Sequence, residues 1–312
     1  MRIVRAPLNH WIQVITVPVA RHVRRATTLG GLNGKDLMVQ VWKRIERDDV
    51  FGRAAQLSFY FILGLFPLLI FFSMLLGYFF ASEQGLYSRL LEYLGGVMPT
   101  PAFQLLRGIL DEITTKSDAG IPTLGLVFAL WIASSGMTAI IEGLNVAYAV
   151  PEARPWWRRR LVAIGLTAAL GVLVAGAFFL ILAGGAAVGR LGQFFPAVAQ
   201  AARLSSVVQW SVGIFFLLLA LTLIFRFAPN LRQLRWEGNF PGAVLTLFCW
   251  LIASAGLKLY LSMFNSYSGT YGSLGAVIIL LMWLYIAGAA ILIGGEFNSV
   301  IWQAVIRQRK QP

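Results

Sequence analysis

Six long apolar runs, separated by short polar or Pro/Gly-rich breaks, set the pattern of this chain. They lie at about 56–80, 121–148, 161–188, 207–228, 240–265 and 271–302. A spanning helix needs roughly 20 mostly apolar residues at about 1.5 Å each, and every run meets that length. The breaks read SEQG after the first run, PEARPWWRRR after the second and RFAPNLRQLRWEG after the fourth. Ten-residue alternations of inward and outward positions would signal a β-barrel, and these continuous runs exclude one. The expected fold is all-α: a polytopic membrane bundle of six transmembrane helices. Residues 1–55 form a basic N-terminal segment, 56–302 the transmembrane domain and 303–312 a tail.

The polar segments carry patterns of their own. The run WIQVITVPVA at 11–20 is interrupted by Gln13, Thr16 and Pro18 and followed by Arg21, Arg24 and Arg25. That is too impure for the core of a signal peptide, and it reads as part of a cytoplasmic segment. Leu37, Val41 and Ile45 recur at helical spacing, with Met38 and Trp42 beside them and Lys43, Arg44 and Arg47 on the polar side. An interfacial helix fits this pattern. A helix docked on the protein's own cytoplasmic face fits it equally well. In the 81–120 connection, Leu86, Leu90, Leu91 and Leu94 form one apolar face. Leu106, Ile109, Leu110 and Ile113 form another beyond Pro99–Thr100–Pro101. Two short amphipathic helices at an acidic outer surface (Glu83, Glu92, Asp111, Glu112, Asp118) are expected there.

Composition and charge sharpen the class. The 312 residues are 58% hydrophobic and only 12% charged, against about 25% charged in soluble domains. A soluble globule is thereby excluded. Lys and Arg number 26 against 13 Asp and Glu, a net charge of +13. Their placement explains the excess. Ten basic residues precede the first run, four lie in 149–160, three in 226–239 and three in the tail, twenty in all. The alternate side holds five, and Lys258 lies within a run. Such a bias puts both termini in the cytoplasm. The charge therefore reflects topology and attraction to anionic lipid, so no nucleic-acid partner is expected.

Polar residues inside the runs are the functional candidates. Ser135, Thr138, Glu142 and Asn145 follow spacings of 3, 4 and 3 and share one helix face running toward the cytoplasm. Ser254, Lys258, Ser262 and Asn265, spaced 4, 4 and 3, share another running outward. Glu296, Ser299 and Gln303 share a third, and Pro67 offers a kink in the first span. Gly165, Gly171, Gly176, Gly184 and Gly185 suit close packing or lipid contact in the third. Plain structural accounts stand beside each. Serine and threonine act as packing glue, the two glutamates pair with the Arg158–Arg160 cluster, and Lys258 snorkels. Trp156, Trp157, Trp236 and Trp302 anchor the interface. On the functional account, the two opposed stripes line a path for a polar or headgroup-bearing substrate. Lys258 then points into a groove and meets an anion, while Glu142 and Glu296 approach each other or Arg158–Arg160. PTLG…EGLN (122–145) and GSLG…GEFN (272–298) share a weak similarity that pairs Glu142 with Glu296.

The spans and their edges resemble the YihY/BrkB family of bacterial inner-membrane proteins, once labelled ribonuclease BN. The resemblance rests on AAQLSFYFILGLFPLLIFF (54–72), EGLNVAYAVPEARPWWRRRL (142–161), YGSLGAVIILLMWLY (271–285) and GGEFNSVI (294–301), in that order. It implies six transmembrane helices, residence in the inner membrane and a link to envelope lipid handling or transport. The ribonuclease label meets a chemical objection. Metal-assisted hydrolysis needs several convergent ligands, whereas this chain has one cysteine, Cys249, and two histidines, His10 and His22, both in the N-terminal segment. The expectation is a non-enzymatic transporter of a lipid or anionic amphiphile that needs no cofactor or metal. The alternative is a scaffold docking envelope machinery through the 81–120 connection. The expected partners are membrane lipids, a second copy of the chain or envelope proteins.

Overall fold

The computed structural model describes residues 32–80, helical positions within 91–108, and residues 123–192, 205–231, 239–263 and 267–310. Among them the chain is all helix. The elements are α1 (Gly34–Arg47), α2 (Val50–Phe80), α3 (Thr123–Ala147), α4 (Trp156–Gly192), α5 (Ser205–Phe227), α6 (Phe240–Met263) and α7 (Tyr267–Lys310). Five of them, α3 to α7, hold stretches long and apolar enough to cross a membrane. In α2 the described apolar stretch, Val50–Leu65, is shorter than a span, and the helix runs on through Pro67 to Phe80. The helices overrun several apolar runs, most of all α7, because backbone hydrogen bonding does not stop where the hydrocarbon does.

α1 forms where Asp36 sits in the first turn and Arg44 and Arg47 in the last, each favourable to the helix dipole. Leu37, Val41 and Ile45 are buried against the bundle, so α1 docks on the protein. Its other apolar residues, Met38, Val39 and Trp42, face outward. The docked reading of this segment therefore holds, and the outward face keeps an exposed apolar surface. A two-residue turn then starts α2. There Asp49 takes a left-handed φ of 48° and accepts a bond from Gly52 N at 3.2 Å. A Cβ at Gly52 would collide with that carboxylate.

The six long helices α2 to α7 close a ring. α2 packs on α3, α3 on α4, α4 on α5, α5 on α6, α6 on α7 and α7 back on α2, with α3 and α7 also touching across it. α3 is the most deeply buried of the candidate spans, and α4, α5 and α6 turn most of their surface outward. The main core lies at the end where α1 docks, with Ile141, Leu144, Phe225, Leu292 and Val300 at its centre. A smaller cluster near the opposite end joins Leu91 of the outer segment to Ile279 and Leu280 of α7. The other leucines and isoleucines named for that segment lie outside the described residues.

Basic segments gather at one end. The loop after α3 and the loop after α5 are laced together, and α1 is bonded to the ends of α3 and α7.

Candidate functional site

The stripe on α3 is filled by an arginine of α4. Arg160 donates to Ser135 Oγ and Thr138 Oγ1, each at 3.4 Å, and to the carbonyl of Trp131. Its guanidinium lies 4.4 Å from the centre of the Trp131 indole, a cation–π distance. Ser134 and Thr138 return their hydroxyls to the carbonyls of Trp131 and Ser134, so the α3 face is already satisfied along its own backbone. One turn toward the basic end, Arg159 pairs with Glu142 at 2.9 Å. The α3–α4 seam thus carries two arginines in series.

This seam opens outward. The Glu142 side chain is 45% exposed and Trp131 is 43% exposed. Trp156 and Trp157 stand exposed at the start of α4, with Arg158 over the Trp157 ring at 5.0 Å. Trp131 precedes the end of α3 at Ala147 by sixteen residues, about 24 Å along a helix rising 1.5 Å per residue. The Arg160 side chain therefore carries its charge along the outer surface of the bundle, away from the basic end. A guanidinium in that position presents a flat fork of donors suited to phosphate or carboxylate.

Asn145, the fourth member of the stripe, does a different job. Its Oδ1 accepts from Asn230 N at 2.8 Å and its Nδ2 donates to Glu152 at 2.8 Å. Glu152 also accepts from Arg154 N, Nε and Nη2 at 3.0, 2.8 and 2.7 Å, and Arg154 reaches the Ala228 carbonyl at 2.8 Å. Burial pushes the Glu152 carboxyl up. The donors of Arg154 and Asn145 outweigh it and hold the group below the usual carboxylate range. Asn145 is a structural clasp between two loops.

The α7 stripe receives α1. Arg44 donates to Ser299 Oγ at 2.7 Å, to Gln303 Oε1 and to the Ala147 carbonyl at 3.5 Å. Glu296 is buried, 3.9 Å from Arg44 Nη1. The two glutamates therefore part company. Glu142 pairs with Arg159 of the Arg158–Arg160 cluster but faces outward, against the expectation that both glutamates face protein, whereas Glu296 is buried and meets Arg44. Between α6 and α7, Asn298 supplies a cap from outside the helix it caps. Its Oδ1 accepts from Gly242 N at 2.7 Å and its Nδ2 donates to the Asn239 carbonyl at 3.0 Å. Asn239 occupies the ordinary cap position, yet its own side chain makes no hydrogen bond. The backbones approach closely here: a Cβ on Gly294 would stand 2.6 Å from the Gly242 carbonyl and overlap the Thr246 hydroxyl. By contrast, a Cβ on Gly165 of α4 would meet nothing, and one on Gly176 only a ring edge at 3.8 Å.

The outward stripe on α6 is less unified. Lys258 is half-buried and donates from Nζ to the Gly96 carbonyl at 2.7 Å. Its charge is spent on the outer segment rather than aimed into an open groove, because α6 at this level packs beneath residues 91–108. Ser254 is buried with no hydrogen-bond partner for its hydroxyl, and Ser262 is exposed and bonds the Leu259 carbonyl of its own helix. Asn265 lies outside the described residues. The α3 and α6 stripes share no described partner and face different seams of the ring.

Sequence reasoning missed Arg160, Trp131, Arg44 and Asn298 as site residues. Arg160 was one of a basic run, weighed for topology and as part of the cluster that would pair with the two glutamates. Its signal was available all the same, since it is the arginine that leads directly into an apolar run.

Comparisons with known proteins follow from this geometry. Residues 41–312 match the family model described as virulence factor BrkB. A Bacillus subtilis protein named ribonuclease-like protein YfkH is 34% identical over 251 residues, covering 80% of this chain and 89% of that protein. The UPF0761 membrane protein Smlt0865 of Stenotrophomonas maltophilia is 26% identical across 94% of this chain, which spans 64% of that relative's length. A UPF0761 membrane protein of Tolumonas auensis is 23% identical, with 86% and 87% of the two chains covered. No solved structure matches the chain.

Proposed function

The chain belongs to the virulence factor BrkB family of membrane proteins, and from that premise we propose that it binds an anionic amphiphile at the α3–α4 seam and carries its headgroup between the leaflets of the bacterial inner membrane. The observation that carries this reading is Arg160. Charges beside hydrocarbon are costly, and those that persist there commonly serve a substrate or its path. Beside its bond to the Trp131 carbonyl, Arg160 keeps three contacts at 3.4 Å that a phosphate could replace with shorter ones. Arg159 stands next to it toward the basic end, so a headgroup passing along the seam exchanges one guanidinium for the next. Exposed Trp131, Trp156 and Trp157 flank the route and suit the junction of headgroup and acyl chain. Lys258, held by Gly96, serves on this reading to fix the outer segment.

The test is reconstitution into liposomes carrying fluorescent phosphatidylglycerol or phosphatidylcholine, with movement followed by quenching of the outer-leaflet dye. The wild-type protein is expected to accelerate the anionic lipid. Arg160→Met is expected to slow it about 10- to 100-fold, since a charge-assisted hydrogen bond is worth about 1.5–3 kcal/mol. Arg160→Lys should fall between. No acceleration of either lipid by the wild type would overturn the function. Equal rates for wild type and Arg160→Met would remove the seam from it.

A further inference from the structure

α1 is short and polar overall, yet three of its large apolar side chains are left outside the core. Met38, Val39 and Trp42 are 59%, 54% and 58% exposed. At about 100° of rotation per residue the helix has three faces. Leu37, Val41 and Ile45 form the face buried on the bundle. Met38, Trp42 and Val39 form the next, and Asp36 and Arg47 lie on the third, which is polar and exposed.

Two sets of contacts fix the height of the apolar face along the bundle. Arg44, two residues and about 3 Å along the helix from Trp42, reaches the carbonyl of Ala147, the last residue of α3, and Gln303 of α7. Exposed Trp156 and Trp157 begin α4 at that same end, where Arg159 of α4 pairs with Glu142 of α3. At the other end of α1, the turn leads straight into the apolar stretch of α2 that starts at Val50. Phe51, Phe59 and Leu63 are exposed there at spacings of 8 and 4, so an outward apolar stripe begins one residue into α2. Both ends of α1 therefore stand where the chain enters the bilayer, and tryptophan at that height favours the headgroup layer.

We propose that the Met38–Val39–Trp42 face of α1 is a lipid-binding surface, seated in the headgroup layer of the cytoplasmic leaflet. A protein partner would have to occupy a band that lipid already fills. Lys35, one turn before Met38, and Lys43, one turn after Val39, are exposed at the edges of the face and bring ammonium groups to lipid phosphates. Glu46, one turn after Trp42, is exposed too and keeps the insertion shallow, within the roughly 5–10 Å typical of interfacial helices. α1 then joins the leaflet surface to the ends of α3 and α7 through Arg44. The inference is independent of the amphiphile reading.

The experiment places a nitroxide label at Met38→Cys, Trp42→Cys or Asp36→Cys, each on a Cys249→Ser background. The full-length protein is held in nanodiscs of phosphatidylethanolamine and phosphatidylglycerol, and the collision of each label with oxygen and with a water-soluble nickel chelate is measured. Labels at 38 and 42 are expected to meet the nickel chelate several-fold less than the label at 36, and oxygen more. As a check with the native side chains, the fluorescence lost in Trp42→Phe should be the part quenched by lipid brominated near the headgroup. Equal nickel accessibility at all three positions would put the face in water and overturn the proposal. Labels at 38 and 42 shielded from both reagents would mean that protein covers the face, whether a second copy or another partner, and would overturn it as well.

Discussion

Replacing Asn298 with alanine removes a cap that one spanning helix lends to another. Asn298 is fully buried. Its amide satisfies the Gly242 N–H at 2.7 Å and the Asn239 carbonyl at 3.0 Å, both within the first turn of α6. The first four N–H groups of a helix have no partner inside it, and the Asn239 side chain makes no substitute bond. Alanine therefore strands the buried Gly242 N–H and leaves the Asn239 carbonyl only the 3.4 Å bond from Ala243 N. A stranded group costs about 1–3 kcal/mol, so about 6 kcal/mol is an upper bound that would need both to be lost. The α6 start adjoins a polar turn and water can enter the vacated space, so about 2–4 kcal/mol is expected. An ordinary side-chain bond between spanning helices averages about 0.6 kcal/mol, which makes the two cases separable. The assay is equilibrium unfolding in mixed micelles of mild detergent and dodecyl sulfate, followed by tryptophan fluorescence. Leu259→Ala, at an exposed position, is the control. Asn298→Asp, which keeps the acceptor but loses the donor and adds a buried charge, should be at least as damaging as alanine. A loss below about 1 kcal/mol for Asn298→Ala would refute the capping argument.

Gly294→Ala should destabilise α6–α7 packing by at least about 1–3 kcal/mol, the usual range for overpacking, because its Cβ meets the Gly242 carbonyl at 2.6 Å. Gly165→Ala, which meets nothing, should be neutral or slightly stabilising in the same assay. The Glu152 clasp predicts an acid-side loss of stability. Its folded carboxyl lies below the ordinary range, so its contribution is complete above about pH 4.3 and falls away as pH drops through the folded value. Melting curves between pH 3 and 7 should lose that component in Glu152→Gln, and identical pH profiles for the two proteins would count against the clasp. For orientation, a reagent applied outside cells should label Ser117→Cys and spare Lys310→Cys on a Cys249→Ser background; the reverse would reject the charge-count topology.

The sequence by itself determined where helices form and which side chains share a face. Both are local properties. An apolar run of sufficient length satisfies its backbone only as a helix in a bilayer, and i, i+3 and i+4 positions stack whatever lies opposite. Thus Leu37, Val41 and Ile45 were legible as one buried face, and Ser135, Thr138 and Glu142 as one stripe. So were Glu296, Ser299 and Gln303 on α7. What periodicity does not encode is which face meets which helix. Arg44 reaches Gln303 across 259 positions of sequence, and Asn298 reaches Gly242 across 56. Arg160 spans 29 positions to fill a stripe that read as an open path, because the close packing of α4 on α3 brings a long guanidinium within reach. Lys258 and Glu142 sit on stripes of the same kind, yet one is held by a carbonyl of the outer segment and the other looks outward beside Arg159. Only the closure of the ring decided those fates, since the burial and partners of a polar side chain depend on neighbours that the local sequence does not contain.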